Sequence, residues 1–232
     1  MKVMDETTLI LVCKKPAPGI GKQRLAANLG NEMTQKVAEA LLACALEDAC
    51  NWFGPVVIAP ASTADIEWAR AFSAPIPSSV AVVPQIAGNL GQRLNALDKT
   101  LRAQGMKQLV FIGSDSPGLD TADYAAARAA LQYADIVLIP ALDGGVVLMA
   151  SRCAWPDLSA LPWSSDQLGA ALIDACHSAK QSVKTLGQGA DVDEFGDFVK
   201  LINLLKHDQR PARRVLLELT KNIISTLKIT NA

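Results

Sequence analysis

The stretch Thr8-Leu9-Ile10-Leu11-Val12-Cys13-Lys14-Lys15-Pro16-Ala17-Pro18-Gly19-Ile20-Gly21-Lys22-Gln23-Arg24-Leu25 joins a short apolar run to a cationic loop. The run reads as a strand covered on both faces, as in a parallel sheet. Between Thr7 and Asn31 the chain carries four cations, Lys14, Lys15, Lys22 and Arg24, and no acid. Pro16 and Pro18 stiffen the loop, while Gly19 and Gly21 let its backbone approach a ligand. Such a loop at a strand's carboxyl end is where phosphate oxygens would be held, although a solvated basic loop has the same composition. It is not a Walker loop, because Gln23 follows Lys22 and Pro16 stands at the upstream glycine position. Nor is it a dinucleotide fingerprint, because Arg24 stands where a third glycine is needed.

Similar apolar runs recur at Pro55–Ala59, Val80–Val83, Gln108–Ile112, Asp135–Ile139 and Val146–Met149. Between them lie helical spacings: Met33, Val37, Ala40, Leu41 and Cys44 within Glu32–Ala49, then Leu90, Leu94, Leu97 and Leu101. This alternation predicts an α/β domain with helices on both faces, whose ligands bind at the carboxyl ends of the strands. Only Pro140–Gly145 separates the last two runs, too short for a helical crossover, so the regular alternation breaks there. Arg210–Leu227 is amphipathic, with Val215, Leu216, Leu219, Ile223 and Leu227 on one side. It reads as a terminal helix docked on its own domain, with a partner-binding helix as the alternative. Residues 1–205 are expected to form the domain and 206–232 a helical extension.

Composition excludes several classes. The 232 residues hold 22 Lys+Arg against 23 Asp+Glu, a formal charge of −1, and this lacks the basic footprint of nucleic-acid binders. Half of the residues are hydrophobic, too many for a disordered chain. The apolar runs fall well short of the roughly 18 to 20 residues that span a bilayer. The five cysteines, Cys13, Cys44, Cys50, Cys153 and Cys176, form no C-x-x-C pair and read as free thiols. His177 and His207 stand apart from them. Met1–Glu6 carries acids and leads directly into the first strand, so it is not read as a signal peptide; the cytoplasm is expected.

Three later loops complement the cationic one. Gly113-Ser114-Asp115-Ser116-Pro117 places a carboxylate at the end of a buried strand, where it could hold Mg²⁺ or Mn²⁺ opposite a polyphosphate, or merely cap the next helix. Asp143-Gly144-Gly145 lets backbone pass close to a ligand, or makes a hairpin turn. Asp191-Val192-Asp193-Glu194 could supply a second metal carboxylate, or be a solvated turn. A phosphate–metal–carboxylate site needs both signs of charge on one side of the sheet.

Lys14-x-Pro16-x-Pro18-Gly19-x-x-Lys22-x-Arg24-Leu25 resembles the K-x-P-x-P-G-x-x-K-T-R-L signature of a bacterial family of unknown function. That family is usually labelled as arsenosugar-biosynthesis-type glycosyltransferases. The resemblance continues in order through Gln85-x-x-Gly88-Asn89-Leu90-Gly91-x-Arg93, Gly113–Pro117, Pro140-Ala141-x-Asp143-Gly144-Gly145, Pro162-Trp163-Ser164 and Asp191-Val192-Asp193. It implies an α/β, three-layer α/β/α nucleotide-diphospho-sugar transferase fold (GT-A, Rossmann-like) with a mixed, mostly parallel sheet. Molybdenum-cofactor guanylyltransferases share that fold.

By the same resemblance, Lys14, Lys22 and Arg24 would hold the nucleotide and its phosphates, on a loop shaped by Pro18 and Gly19. Gln85 and Arg93 would lie beside the nucleotide or sugar. Asp115 would be the main metal ligand and Asp193 a second. Asp143, with Gly144 and Gly145, would face the donor sugar or the acceptor and is the first candidate for a catalytic base. Four positions depart from the family pattern: Gln23 for Thr, Asn89 for Asp, Val146 for Tyr and Glu194 for Thr. The implied activity is metal-dependent transfer from a nucleotide-diphospho-sugar to a small-molecule acceptor. Nucleotidyl transfer from a nucleoside triphosphate is the alternative, and a non-catalytic nucleotide-binding relative is a third reading, prompted by Asn89 and Val146. No membrane span is expected, and a homodimer stays open.

Overall fold

The computed structural model describes residues 6–230, with the side chains of residues 228–230 left aside. The Met1–Asp5 segment, part of the stretch read as non-signal sequence, lies outside these residues. In chain order the first elements are β1 (Thr7–Cys13), α1 (Gln23–Leu29), α2 (Asn31–Cys50), β2 (Val56–Pro60), α3 (Ile66–Arg70), β3 (Val80–Val82), α4 (Leu90–Ala103) and β4 (Gln108–Ile112). They are followed by α5 (Thr121–Ala130), β5 (Ile136–Pro140), β6 (Val146–Ser151), α6 (Leu168–Ser178), β7 (Val183–Thr185), α7 (Phe195–Leu204) and α8 (Pro211–Thr230).

The strands form one seven-stranded sheet in the order β3-β2-β1-β4-β6-β5-β7. β6 is antiparallel to both of its neighbours, and every other pairing is parallel. The short Pro140–Gly145 connection therefore does break the alternation, as a hairpin that inserts β6 beside β4. The chain runs outward from β1 through β2 to β3, then returns to β4 on the other side of β1. That reversal is a topological switch point, where an open α/β sheet leaves a crevice at the carboxyl ends of its strands.

Side chains of β1 alternate between two cores, as a strand covered on both faces requires. Leu9, Leu11 and Cys13 pack with α2 and α5 residues such as Ala45, Ala49, Tyr124 and Ala127. Ile10 packs on the opposite face with Leu94, Leu97 and Leu101 of α4 and with Leu172 and Cys176 of α6. Each fully buried leucine or isoleucine contributes about 1.5–3 kcal/mol. All five cysteines are free, and burial pushes the thiols of Cys13, Cys44 and Cys176 up to about 12, so these three pack as apolar groups.

A third cluster lies outside this sandwich. Val37, Leu41 and Cys44 of α2 pack with Phe198 and Leu201 of α7 and with Leu216, Leu217 and Ile223 of α8. The stripe predicted for α2 thus faces α7 and α8, while Leu42, Ala45 and Ala49 face the sheet. On α8 one expected contact is corrected: Val215 is 65% exposed, whereas Arg213 and Thr220 are buried. The buried positions are Arg213, Leu216, Leu217, Thr220 and Ile223, two of them polar, and the expected Leu219 and Leu227 pack beside them. A purely apolar reading therefore finds the packed side of the helix but misses its two polar positions. β7 was also absent from the predicted strands, being three residues long and largely exposed.

Arg213 explains its own burial. Its guanidinium donates to Asp48 Oδ2 at 2.6 Å, Glu47 Oε2 at 3.0 Å, Pro117 O at 3.2 Å and Leu119 O at 3.4 Å, and also to Cys44 O. Asp48 also accepts from the Tyr124 hydroxyl at 2.9 Å and from Arg210 at 3.1 Å. Burial still raises the Asp48 carboxyl, against the pull of Arg213. Arg213→Ala, which strands that carboxylate without its nearest cation, should lower the unfolding free energy in urea by about 3–5 kcal/mol.

Candidate functional site

The loop after β1 and the loop after β4 flank the switch point, and Lys22 joins them. Its Nζ donates to Asp115 Oδ2 at 3.3 Å, to Asp193 Oδ1 at 3.2 Å and to Val192 O at 2.6 Å. Burial opposes the ammonium charge, but the carboxylates of Asp115 and Asp193 outweigh it, so Lys22 titrates above the ordinary lysine range. The backbone of Lys22 is left-handed, with φ 47°, at the residue preceding α1. That conformation is costly for a residue with a side chain and persists where the surroundings impose it.

The acidic loops are built locally. A Cβ on Gly113 would come within 2.6 Å of Asp115 Oδ1, so glycine makes room for that carboxylate. The Val192 amide donates to Asp115 O at 3.0 Å and ties the β4 loop to the Asp191–Glu194 loop. Val192 is buried among α1, α2, α7 and α8, so its neighbours Asp191 and Asp193 turn toward the cavity. Asp143 Oδ1 accepts from the Gly145 amide at 2.9 Å, which closes the Asp143–Gly145 turn.

These loops surround a cavity of about 740 Å³, within the roughly 300–1,000 Å³ usual for small-molecule sites. Of the predicted residues, Lys14, Lys22, Arg24, Gln85, Arg93, Asp115, Asp143, Gly145 and Asp193 line it. Pro18, Gly19 and Gly144 are not on its wall. Gly19 has φ 74° within the first loop, and Gln23 Nε2 donates to Gly19 O at 2.7 Å. Asp191 and Trp163 also line the cavity. Both stand in quoted motifs without an individual role, and the D-V-D alternation around an inward Val192 is the signal that pairs Asp191 with Asp193.

Gln85 and Arg93 occupy the other part of the wall. Gln85 Nε2 donates to Ala59 O at 2.7 Å, while its buried Oε1 has no partner among the described residues. Arg93 is half-buried, its Nε likewise lacks a partner, and burial lowers its pKa. Three of the four departures have visible work. Gln23 pins the loop as above, and Glu194 pairs with Arg24 at 3.2 Å. Asn89 caps α4 by accepting from Gln92 N and donates to Ser159 O at 2.9 Å, a donation that Asp could not make. Val146 lines the cavity, whereas Asn89 does not.

Among the described residues no three His, Cys, Asp or Glu side chains are grouped to hold a metal ion. Asp115 and Asp193 nevertheless converge on one point of positive charge, and the Lys22 ammonium is a stand-in cation held by their oxygens. Mg²⁺ is usually bound by one or two carboxylates together with substrate phosphates, so this donor set fits such an ion.

Two outcomes test this geometry. Gly144 has φ 90°, and a Cβ there would lie 2.0 Å from Asp166 O. Gly144→Ala should therefore lower the unfolding free energy by about 1–3 kcal/mol in a thermal melt. Burial, then the charges of Asp115, Asp143 and Asp193, push Asp191 up to about 6. Ionised Asp191 thus weighs against the fold above that pH, and the burden lifts as the folded protein takes up a proton. In chelator-treated buffer Asp191→Asn should raise the Tm at about pH 8, and the gain should fade toward about pH 4.

Comparison with solved structures places the fold. A Desulfovibrio desulfuricans G20 protein provisionally described as a nucleotide-diphospho-sugar transferase is 22% identical, with a TM-score of 0.82 over 96% of this chain and 98% of its own. A cytidylyltransferase from Leptospira borgpetersenii serovar Hardjo-bovis is 13% identical, with a TM-score of 0.52 over 96% of each chain. Rv0371c from Mycobacterium tuberculosis H37Rv is 20% identical, with a TM-score of 0.50 over 88% of this chain and all of its own. The three-layer fold with its mixed, mostly parallel sheet is thus of the nucleotide-diphospho-sugar transferase type. Among the described residues no helix is long and apolar enough to cross a membrane. No curated protein matches the sequence. A family match does cover residues 42–165, more than half of the chain and beyond the cationic loop, and by it the chain belongs to the bacterial family described as uncharacterized protein conserved in bacteria (DUF2064).

Proposed function

We propose that the chain transfers a sugar from a nucleotide-diphospho-sugar to a small-molecule acceptor, assisted by Mg²⁺ or Mn²⁺ at Asp115 and Asp193. The observation that carries this reading is the meeting of the cationic loop and the acidic loops in one cavity at the switch point. Lys14 and Arg24 would bind the diphosphate, joined by Lys22 once its ammonium leaves the carboxylates. Gln85 Nε2 is engaged by Ala59 O and its buried Oε1 is unpaired among the described residues, so a shift that uncovers Oε1 would let it accept an N–H from a bound nucleoside. Arg93 adds a cation at the same wall. When bound, the divalent ion would neutralise charge developing on the leaving diphosphate.

In an inverting route the acceptor oxygen bonds to the anomeric carbon as the bond to the diphosphate breaks. The acceptor proton passes to a carboxylate, and Asp143 is the candidate base. Its Oδ1 is engaged by Gly145, which orients the side chain and leaves Oδ2 for the acceptor. The part Asn89 plays as a helix cap gives that departure a structural reason and so weighs against the non-catalytic reading.

A thermal-shift screen of nucleotide-diphospho-sugars with Mn²⁺ tests the reading. A ligand at ~100-fold excess over its Kd should stabilise the protein by about 3 kcal/mol, and Asp115→Ala should abolish the shift. Release of a nucleoside diphosphate with transfer of the sugar supports glycosyl transfer. Pyrophosphate released from a nucleoside triphosphate would replace it with nucleotidyl transfer, and no stabilisation by any nucleotide would end both.

A further inference from the structure

The ammonium of Lys22 has three N–H donors, and three protein acceptors meet it: Val192 O, Asp193 Oδ1 and Asp115 Oδ2. In this state no donor remains for a phosphate. The two carboxylates that would receive a divalent ion are also the two that hold the ammonium. A divalent ion entering between them would meet a like charge a few ångströms away, in a place only partly open to water. The two cations therefore exclude one another.

We propose that Lys22 is a tethered counter-ion of the Asp115–Asp193 pair, which a divalent cation must displace, and that the displaced ammonium then becomes the loop's phosphate-binding group. The inference rests on the metal-bearing site proposed above, and it adds how that site is regulated. The backbone suits such a movement. Gly19 and Gly21 have φ 74° and φ 68°, and an added Cβ at Gly21 would meet nothing within 4 Å. Lys22 itself sits in a strained left-handed conformation next to these glycines. Release of the ammonium would couple the two ligands. Polyphosphate that draws Lys22 away frees the carboxylates for the metal, and metal that occupies the carboxylates frees Lys22 for polyphosphate.

The test uses Mn²⁺ alone, titrated into the full chain without nucleotide and followed by electron paramagnetic resonance of the free ion. Lys22→Met should bind Mn²⁺ about tenfold or more tightly than the parent chain, and adding Asp115→Asn should remove the gain. Equal or weaker binding by Lys22→Met overturns the proposal, as does a lack of Mn²⁺ binding by both proteins. Lys22→Gln serves the same comparison if the methionine variant fails to fold. The parent chain offers a second readout: labelling of Lys22 by an amine-reactive reagent, mapped by peptide mass spectrometry, should rise when Mn²⁺ is added. Labelling that ignores Mn²⁺ overturns the proposal. Tighter Mn²⁺ binding by the variant of a protein that accepts no nucleotide would uphold the counter-ion and end the transferase reading. Sugar transfer by a protein whose Mn²⁺ affinity ignores position 22 would do the reverse.

Discussion

β1 is hydrogen-bonded to β2 on one side and to β4 on the other, both in parallel. Because the three strands share one direction, the loops that follow them open on one edge of the sheet. Because the chain reaches β2 directly and β4 only after going out to β3, it returns across the other face through α4. The two paths part between β1 and β4, and the gap there is lined by whatever those two loops carry. Here they carry cations and Asp115. A hairpin then brings Asp143 to the same edge, since β6 runs back beside β4 and leaves the Pro140–Gly145 turn at the carboxyl side. The bridge from Ala141 to Gly189 leads the chain on toward Asp191 and Asp193.

Two ion networks in this protein look alike on paper and differ in physics. Arg213 is fully buried, and its acids Glu47 and Asp48 are largely buried too, with side-chain exposures of 14% and 6%. Every partner there is enclosed, so removing one leaves another uncompensated, and the network behaves as structure. Lys22 is also mostly covered, but Asp115 and Asp193 keep 36% and 48% of their side-chain surface. Those carboxylates remain reachable from the cavity and can change partners. The contrast in exposure is what makes the first network a bolt and the second a candidate for exchange.

The strands and the order of the site loops were legible because strong local signals produce them. Unbroken apolar runs reveal strands covered on both faces, and glycine, proline and charge cluster where such strands end. What escaped the sequence depends on tertiary partners. The apolar spacing of α2 was found, yet it marks the side toward α7 and α8, because small residues such as Ala45 and Ala49 suffice against the sheet. On α8 the buried face includes Arg213 and Thr220, which no apolar count selects. Among site residues, the sign of each loop was readable and the pairing within it was not. Lys22 was expected to meet phosphate, but the structure spends its three donors on Asp115, Asp193 and Val192. Asn89 stood out as a departure from the family pattern, and only the structure shows that it caps α4 through Gln92 N while donating to Ser159 O.

The C-terminal helix belongs to the same argument. The boundary expected near residue 205 is crossed by Arg210 and Arg213, which donate to Leu119 O, and by Arg213, which donates to Pro117 O. Those carbonyls lie in the turn that follows Asp115. The same helix packs with Val192, whose amide donates to Asp115 O and whose own carbonyl accepts from Lys22. α8 and the residue before it bond to the turn after Asp115 and pack on Val192, so they support both backbone segments that hold the two carboxylates. The helix that reads in sequence as docked on its own domain thus packs behind the acidic loops, and it supplements the Val192–Asp115 backbone bond that ties them together.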